Sequence, residues 1–212
     1  MGPWLDGIVL PKLESVEDLC SVDWLLTNLE RERGMEIGSV DVMPIIETAR
    51  GQDAARAIAQ AGTRIKRLSF GAGDYTKDLG MEWSLTEHEL ASMRSEMVVA
   101  SRLGLLEPPI DTVFIHIKED DAFRVSCELV RDLGFQGKLC IHPDQIVTAN
   151  TAFTPTGEQL AFAKKVIEAF AEAEAAGSAS IQIDGYFVDY PIVDKAQRIV
   201  DIAEAIARVE AA

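Results

Sequence analysis

Apolar runs of strand length alternate with helix-length stretches through residues 1–150, and few folds accommodate that order. The β-α pair recurs five times, which demands a parallel sheet or barrel, because each helix must carry the chain back before the next strand can run in the same direction. Two of the runs end alike. MPIIETARG (43–51) stops on Glu47 after Ile45-Ile46, and LSFGAGDYTKDLG (68–80) stops on Asp74 just past Phe70-Gly71-Ala72-Gly73. Short apolar runs bounded by turn residues read as buried parallel strands. The intervening TARGQDAARAIAQAG has the length and alanine content of a helix. Carboxylates at the same end of neighbouring parallel strands point into one cavity, and hard divalent cations are held that way. The spacing also admits Glu47 as a cap of the following helix and Asp74 as a turn residue.

Charge and composition narrow the function. The chain has 212 residues, 48% of them hydrophobic, enough for one large domain or a domain with an appendage. Its net charge of −15 argues against nucleic-acid binding, which needs clustered positive charge. Anionic small molecules stay open, because a bound Mg2+ reverses the local field. Cys20, Cys127 and Cys140 are far apart, lack any CxxC, and read as core residues of a reducing compartment. No apolar run approaches membrane-spanning length, and MGPWLDG has neither the basic start nor the hydrophobic stretch of a signal peptide. A soluble, cytoplasmic protein without membrane partners is expected.

Along the chain, LDGIVLP (5–11) reads as a strand that ends at Pro11-Lys12. A helix starts at Ser15, with Asp18 completing an analogue of a capping box, and stops at Gly34. Residues 80–105 are a loop running into a helix with Met93, Met97, Ala100 and Leu103 on one face, a core stripe. IDTVFIHI (110–117) reads as the fourth strand, a helix follows from about 121 to 133, and GKLCIHP (137–143) reads as the fifth strand. Residues 1–150 are therefore one domain and 151–212 an appendage. In the appendage Thr154-Pro155 opens a helix, a small-residue linker follows, IQIDGYFVDYP (181–191) forms a hairpin or an extended arm, and an amphipathic helix closes the chain.

Most familiar site patterns fail. Gly71-Ala72-Gly73 lacks the third glycine of a dinucleotide fingerprint, since Thr76 stands there. His88, His116 and His142 have no zinc spacing, and neither G-x-S-x-G nor a Walker pattern occurs. His142 and Lys12 each end a strand, so either could reach a ligand or simply satisfy a turn or face solvent.

The segments DGIVLPKLES (6–15), IIETARG (45–51), SFGAGDYTKDLG (69–80), GFQGKLCIHPDQI (134–146) and DGYFVDYP (184–191) resemble the HpcH/HpaI aldolase and citrate lyase family. The resemblance is collinear over essentially the whole chain and strongest to the citrate lyase β-subunit, malyl-CoA and citramalyl-CoA lyase branch. It implies a TIM (β/α)8 barrel, of which about the last five units are present here, followed by the C-terminal helical segment. It implies Mg2+ held by Glu47 and Asp74, with Asp189 reaching a neighbouring subunit's active site in a homo-oligomer, a trimer or hexamer. Lys12 and His142 fall at the barrel mouth as substrate contacts, and Lys138 shares the loop of His142. The implied reaction is reversible carbon–carbon cleavage of a 3-hydroxyacyl-CoA to an acyl-CoA thioester and an oxo acid. Alternatives are a pyruvate aldolase acting on free aldehydes, or a non-catalytic member that binds metal or a partner.

Two departures stand out. Family barrels precede DGIVLPK with further strands, one carrying an arginine, and none is in this sequence, so the chain by itself is expected to be a poor catalyst. His116 also stands where relatives usually carry an aspartate, a change bearing on substrate preference.

Overall fold

The structure, a computed structural model, describes residues 2 and 4–210, the last of these by its backbone alone. Met1 and Pro3 of the MGPWLDG start, and residues 211–212, assigned by sequence to the closing helix, lie outside the described residues. The chain divides into two compact units, Met1–Phe153 and Thr154–Ala212.

In the first unit the strands are β1 (Gly7–Leu10), β2 (Asp41–Ile46), β3 (Ser69–Phe70), β4 (Ile110–Asp111) and β5 (Gly137–Lys138). They form one sheet in chain order, every pair parallel, with Gly7 beside Asp41, Ile46 beside Phe70 and Asp111 beside Lys138. The returning helices are α1 (Val16–Glu32), α2 (Ala49–Ala59), α3 (Ala72–Leu79), α4 (Ala91–Leu103), α5 (Asp120–Leu133) and α6 (Asp144–Phe153). Right-handed crossovers between sequential neighbours place such helices along one face of a sheet.

Burial along β2 alternates: Val42, Pro44 and Ile46 are buried, while Asp41, Met43 and Ile45 are half-buried. Val42, Ile46, Leu68 and Phe70 share a core with Leu19 of α1, Ile58 of α2 and Met93 and Met97 of α4. Each such side chain contributes about 1.5–3 kcal/mol on burial. The methionine face is real, but Leu103 is 49% exposed, and Arg94 is the fully buried member of α4 in its place.

Several local expectations change. Ser15 caps α1, its Oγ accepting from the Asp18 N–H, but Asp18 returns the contact to the Ser15 hydroxyl instead of the backbone. The fourth and fifth strands are much shorter than their apolar runs, because neighbouring side chains engage the groups a ladder would use. Thr112 Oγ1 accepts from the Ala72 N–H, and the Phe114 carbonyl accepts from Gln145 Nε2. Asp74 lies in the first turn of α3, a helix that Gly71-Ala72-Gly73 conceals in the sequence.

The second unit comprises α7 (Gly157–Ala175), β6 (Ile181–Ile183), β7 (Tyr186–Val188) and α8 (Tyr190–Glu210). Its helix starts after Pro155, at Thr156, which forms a full capping box with Gln159. The segment after the linker is a hairpin: β6 and β7 pair antiparallel around Asp184 (φ 49°) and Gly185 (φ 84°). Two successive left-handed residues are the requirement of a type I′ turn, which Asp-Gly meets. Val166 and Phe170 of α7, Ile183 and Val188 of the hairpin, and Ala196 and Val200 of α8 form a core of their own.

Candidate metal centre

Lys12, Glu47 and Asp74 converge beyond the carboxyl ends of β1, β2 and β3. Glu47 directly follows β2, and its Oε1 accepts from the Lys12 backbone N–H at 2.8 Å. The Lys12 ammonium lies 2.6 Å from Asp74 Oδ1. Lys12 takes a left-handed conformation (φ 51°), unusual outside glycine, to make both contacts. Glu47 is not the cap of α2. Thr48 Oγ1 accepts from Gly51 N–H, and Asp78 Oδ2 accepts from Ala49 N–H, so the helix start is satisfied by others.

The two carboxylates are tuned in opposite directions. Burial raises the Glu47 pKa, the Asp74 charge adds to that, and Lys12 opposes it. The hydrogen bond from Lys12 holds Asp74 below the ordinary carboxylate range, against some desolvation. The same bond raises the Lys12 ammonium.

The residues fit a hard divalent cation. Both offer carboxylate oxygens, one is desolvated beside the other's negative charge, and a cation, the Lys12 ammonium, already sits on Asp74. The Glu47 carboxylate also lies over Gly71, where a Cβ would collide with it, so the glycine keeps open the space the carboxylate occupies. Among the described residues no group of three or more His, Cys, Asp or Glu forms a metal cluster. Two carboxylates with the remaining positions left to water and substrate is a Mg2+ pattern, not a zinc or structural calcium one.

The other sequence candidates fall elsewhere. His142 follows β5, but its Nδ1 accepts from the Asp144 N–H at 3.3 Å and lies 3.4 Å from the Asp144 carboxylate. Asp189 belongs to the second unit, half-buried between β7 and α8, where its carbonyl accepts from the N–H groups of Ile192 and Val193. Lys138 is not at a mouth at all: its side chain is fully buried and held 2.5 Å from Asp111 Oδ2.

That contact belongs to an ionic cluster that sequence reasoning missed. Arg94 donates through Nε and Nη2 to both Asp111 oxygens, at 3.0 and 2.9 Å. Its Nη2 also reaches Glu87 at 2.7 Å, and Ser126 donates to the same Glu87 oxygen. All four charged side chains are at most 1% exposed. The available signal was the parallel register, which sets Lys138 beside Asp111, but only once the strands are known to end there.

The HpcH/HpaI aldolase/citrate lyase family pattern matches residues 2–143. The chain is 33% identical over 206 residues to a citrate lyase subunit beta of Haemophilus influenzae, covering 97% of this chain and 70% of that one. It is 32% identical over 227 residues to an L-malyl-CoA/beta-methylmalyl-CoA lyase of Cereibacter sphaeroides, with the same coverage of 97% and 70%. Among solved structures, CitE of Mycobacterium tuberculosis in complex with magnesium, acetoacetate and coenzyme A superposes with a TM-score of 0.72 at 25% identity, over 94% of this chain and 68% of that one. The chain spans 66–70% of the length of the curated citrate lyase and malyl-CoA lyase relatives it matches. Among the described residues no helix is long and apolar enough to cross a membrane. By the extent of the pattern and the identity to these relatives, the chain belongs to the HpcH/HpaI aldolase/citrate lyase family.

Proposed function

We propose that the chain carries the metal half of a Mg2+-dependent carbon–carbon lyase site that cleaves a 3-hydroxyacyl-CoA, such as malyl-CoA or citramalyl-CoA, to an acyl-CoA and an oxo acid. The observation that carries this reading is the convergence of Glu47, Asp74 and Lys12 at the ends of adjacent parallel strands. The sequential parallel sheet is then an arc of a (β/α)8 barrel, whose chemistry sits at the carboxyl ends of the strands.

Glu47 and Asp74 would hold Mg2+, which when bound supplies Lewis acidity toward the oxo-acid oxygens. Lys12, paired with Asp74, would attract the substrate carboxylate. His142, which follows β5 and contacts Asp144, would be at most an outer substrate contact. In cleavage the substrate hydroxyl loses its proton, the carbon–carbon bond breaks, and the electron pair leaves as a thioester enolate that must be protonated. Asp189, contributed by a neighbouring copy in a homo-oligomer, would take the hydroxyl proton and return it to the enolate carbon.

The test measures Mg2+ binding by calorimetry together with cleavage of malyl-CoA and citramalyl-CoA, against pyruvate–aldehyde condensation as the competing reaction. Glu47→Gln and Asp74→Asn should each weaken Mg2+ binding by more than about tenfold, since even outer-shell changes at metal sites cost that much. Unchanged Mg2+ affinity in both variants would remove the centre. Turnover of free aldehydes without the thioesters would move the reading to the aldolase side of the family.

A further inference from the structure

Helix α3 carries Asp74 in its first turn, yet its own N-cap residue, Gly71, provides no side-chain hydrogen bond. The first N–H groups of a helix need partners from outside it. Here Thr112, on the chain just past β4, supplies one: its Oγ1 accepts from the Ala72 N–H at 2.8 Å. Donor and acceptor residues are both buried, Ala72 at 0% and Thr112 at 1% exposure, so water cannot replace the contact.

Thr112 is itself held firmly. It follows Asp111, whose carboxylate is fixed by Arg94 and Lys138. The buried ionic cluster pins Asp111, and the hydroxyl of the next residue, Thr112, anchors the first turn of α3. Farther along, α3 is tied to α2 by Asp78 to the Ala49 N–H and by the Tyr75 hydroxyl to Gln52, so its later turns have anchors of their own. At the end from which Asp74 projects, the Thr112 bond acts beside one other, from the Gly71 N–H to the Ile46 carbonyl at 3.1 Å, which ties the N-cap residue to β2.

We propose that Thr112 is a positioning residue for the metal centre: its hydroxyl, acting as an N-cap supplied from a neighbouring strand, fixes the first turn of α3 and so the placement of Asp74 against Glu47. The proposal rests on Glu47 and Asp74 being the metal-holding pair.

The experiment titrates the full chain with MgCl2 by calorimetry and records thermal unfolding of each protein beside it. Thr112→Val, nearly isosteric but without the acceptor, should weaken Mg2+ binding by about tenfold or more, in the range of lost outer-shell contacts. Thr112→Ser, which keeps the acceptor, should bind within about twofold of the parent even where its melting temperature falls. A purely structural role would instead lower the melting temperature in both variants and leave Mg2+ affinity alone. If valine does not fold, Thr112→Ala against Thr112→Ser makes the same comparison. Equal Mg2+ affinity with and without the hydroxyl, while Asp74→Asn abolishes binding, overturns the proposal and spares the centre. Unchanged affinity in Asp74→Asn and Glu47→Gln overturns both.

Discussion

Two groups of opposite charges sit within the first unit, and their surroundings differ in every respect that matters for function. On one side Glu87, Arg94, Asp111 and Lys138 are almost wholly excluded from water and pair with one another, although Arg94 Nη1 is left without a partner. On the other, Lys12 and Asp74 keep 57% and 39% of their side chains exposed, and together with Glu47 they present oxygens open to a further partner. A closed, desolvated set of charges offers a ligand no access and fixes the fold around it. An open set with a desolvated carboxylate has capacity to spare and is where a ligand can enter. Charge alone does not separate a site from a strut; access from solvent does.

The largest effect should come from breaking the closed cluster. Arg94→Met removes the cation that faces both Asp111 and Glu87 and leaves two buried carboxylates with only Lys138. Removing one partner of a buried ion pair typically costs about 3–5 kcal/mol, a large share of a domain's net stability of about 5–15 kcal/mol. Urea unfolding of the variant should show a much lower midpoint at unchanged slope. A loss below about 1 kcal/mol would mean that the cluster is not the strut described.

The open group should respond the other way. Glu47→Gln takes a charge from a place where burial and Asp74 both disfavour it. The unfolding midpoint in metal-free buffer is expected to stay or to rise, as when a strained functional residue is neutralised. Gly71→Ala tests the same space from the backbone side. A methyl there meets not only the Glu47 carboxylate but also Glu47 Cβ and Ile45 Cγ2 at 2.8 Å, so Mg2+ affinity should fall by about tenfold and the unfolding midpoint should fall with it. A variant with parental Mg2+ affinity would show that the carboxylate is free to move aside.

Much of this contrast could be read before the structure, and the reason it could not all be read is physical. Glu47 and Asp74 were legible as a pair because parallel strands in sequential order deliver their carboxyl ends to one side, whereas Lys12 was legible only as a strand-ending lysine that could equally face solvent. The hairpin around Asp184-Gly185 was legible as one of two readings because Asp-Gly suits two left-handed residues. Arg94 was hidden, because nothing local marks a charged residue in a methionine-lined helix face as buried; its partners come from β4 and from Glu87 before the helix. Lys138 was misplaced for the same reason. The apolar run IDTVFIHI overstates its strand, because Thr112 and the Phe114 carbonyl are engaged by Ala72 and Gln145, contacts that arise only in the tertiary fold.

Acid should expose the closed pairs at smaller cost. Burial pushes Glu30 up, but the hydrogen bond from Arg64 and the N–H groups of Gly38 and Val40 outweigh it and hold its pKa below the ordinary value. Burial likewise opposes the ionisation of Asp111, but Lys138 and Arg94 outweigh it, so its pKa is also lowered. A carboxylate lowered on folding contributes stability that is complete above its unfolded pKa of about 4 and is lost as pH falls through the folded value. The urea midpoint should therefore be flat from pH 7 to about 5 and decline below about 4. Glu30→Gln should decline less steeply over that window. Parallel pH curves for parent and variant would show that Glu30 titrates as in the unfolded chain.

The smallest effect is a comparison expected to show no change, and it asks whether the two groups are energetically separate. Cys127 is buried in α5, next in sequence to Ser126, the hydroxyl that donates to Glu87. Burial pushes its thiol pKa up to about 12, with further pressure from nearby carboxylates partly offset by Lys138. At pH 8 about one molecule in ten thousand would carry the thiolate there, so alkylation has to wait for local opening. Cys20, exposed on α1, serves as the internal standard. With iodoacetamide and mass spectrometry, Cys127 should label slowly in the parent and faster in Arg94→Met, in proportion to the larger open population. In Glu47→Gln its rate relative to Cys20 should not change, because among the described residues no hydrogen bond or ion pair joins Glu47 directly to the closed cluster. Acceleration of Cys127 in Glu47→Gln matching that in Arg94→Met would show that strut and site open together.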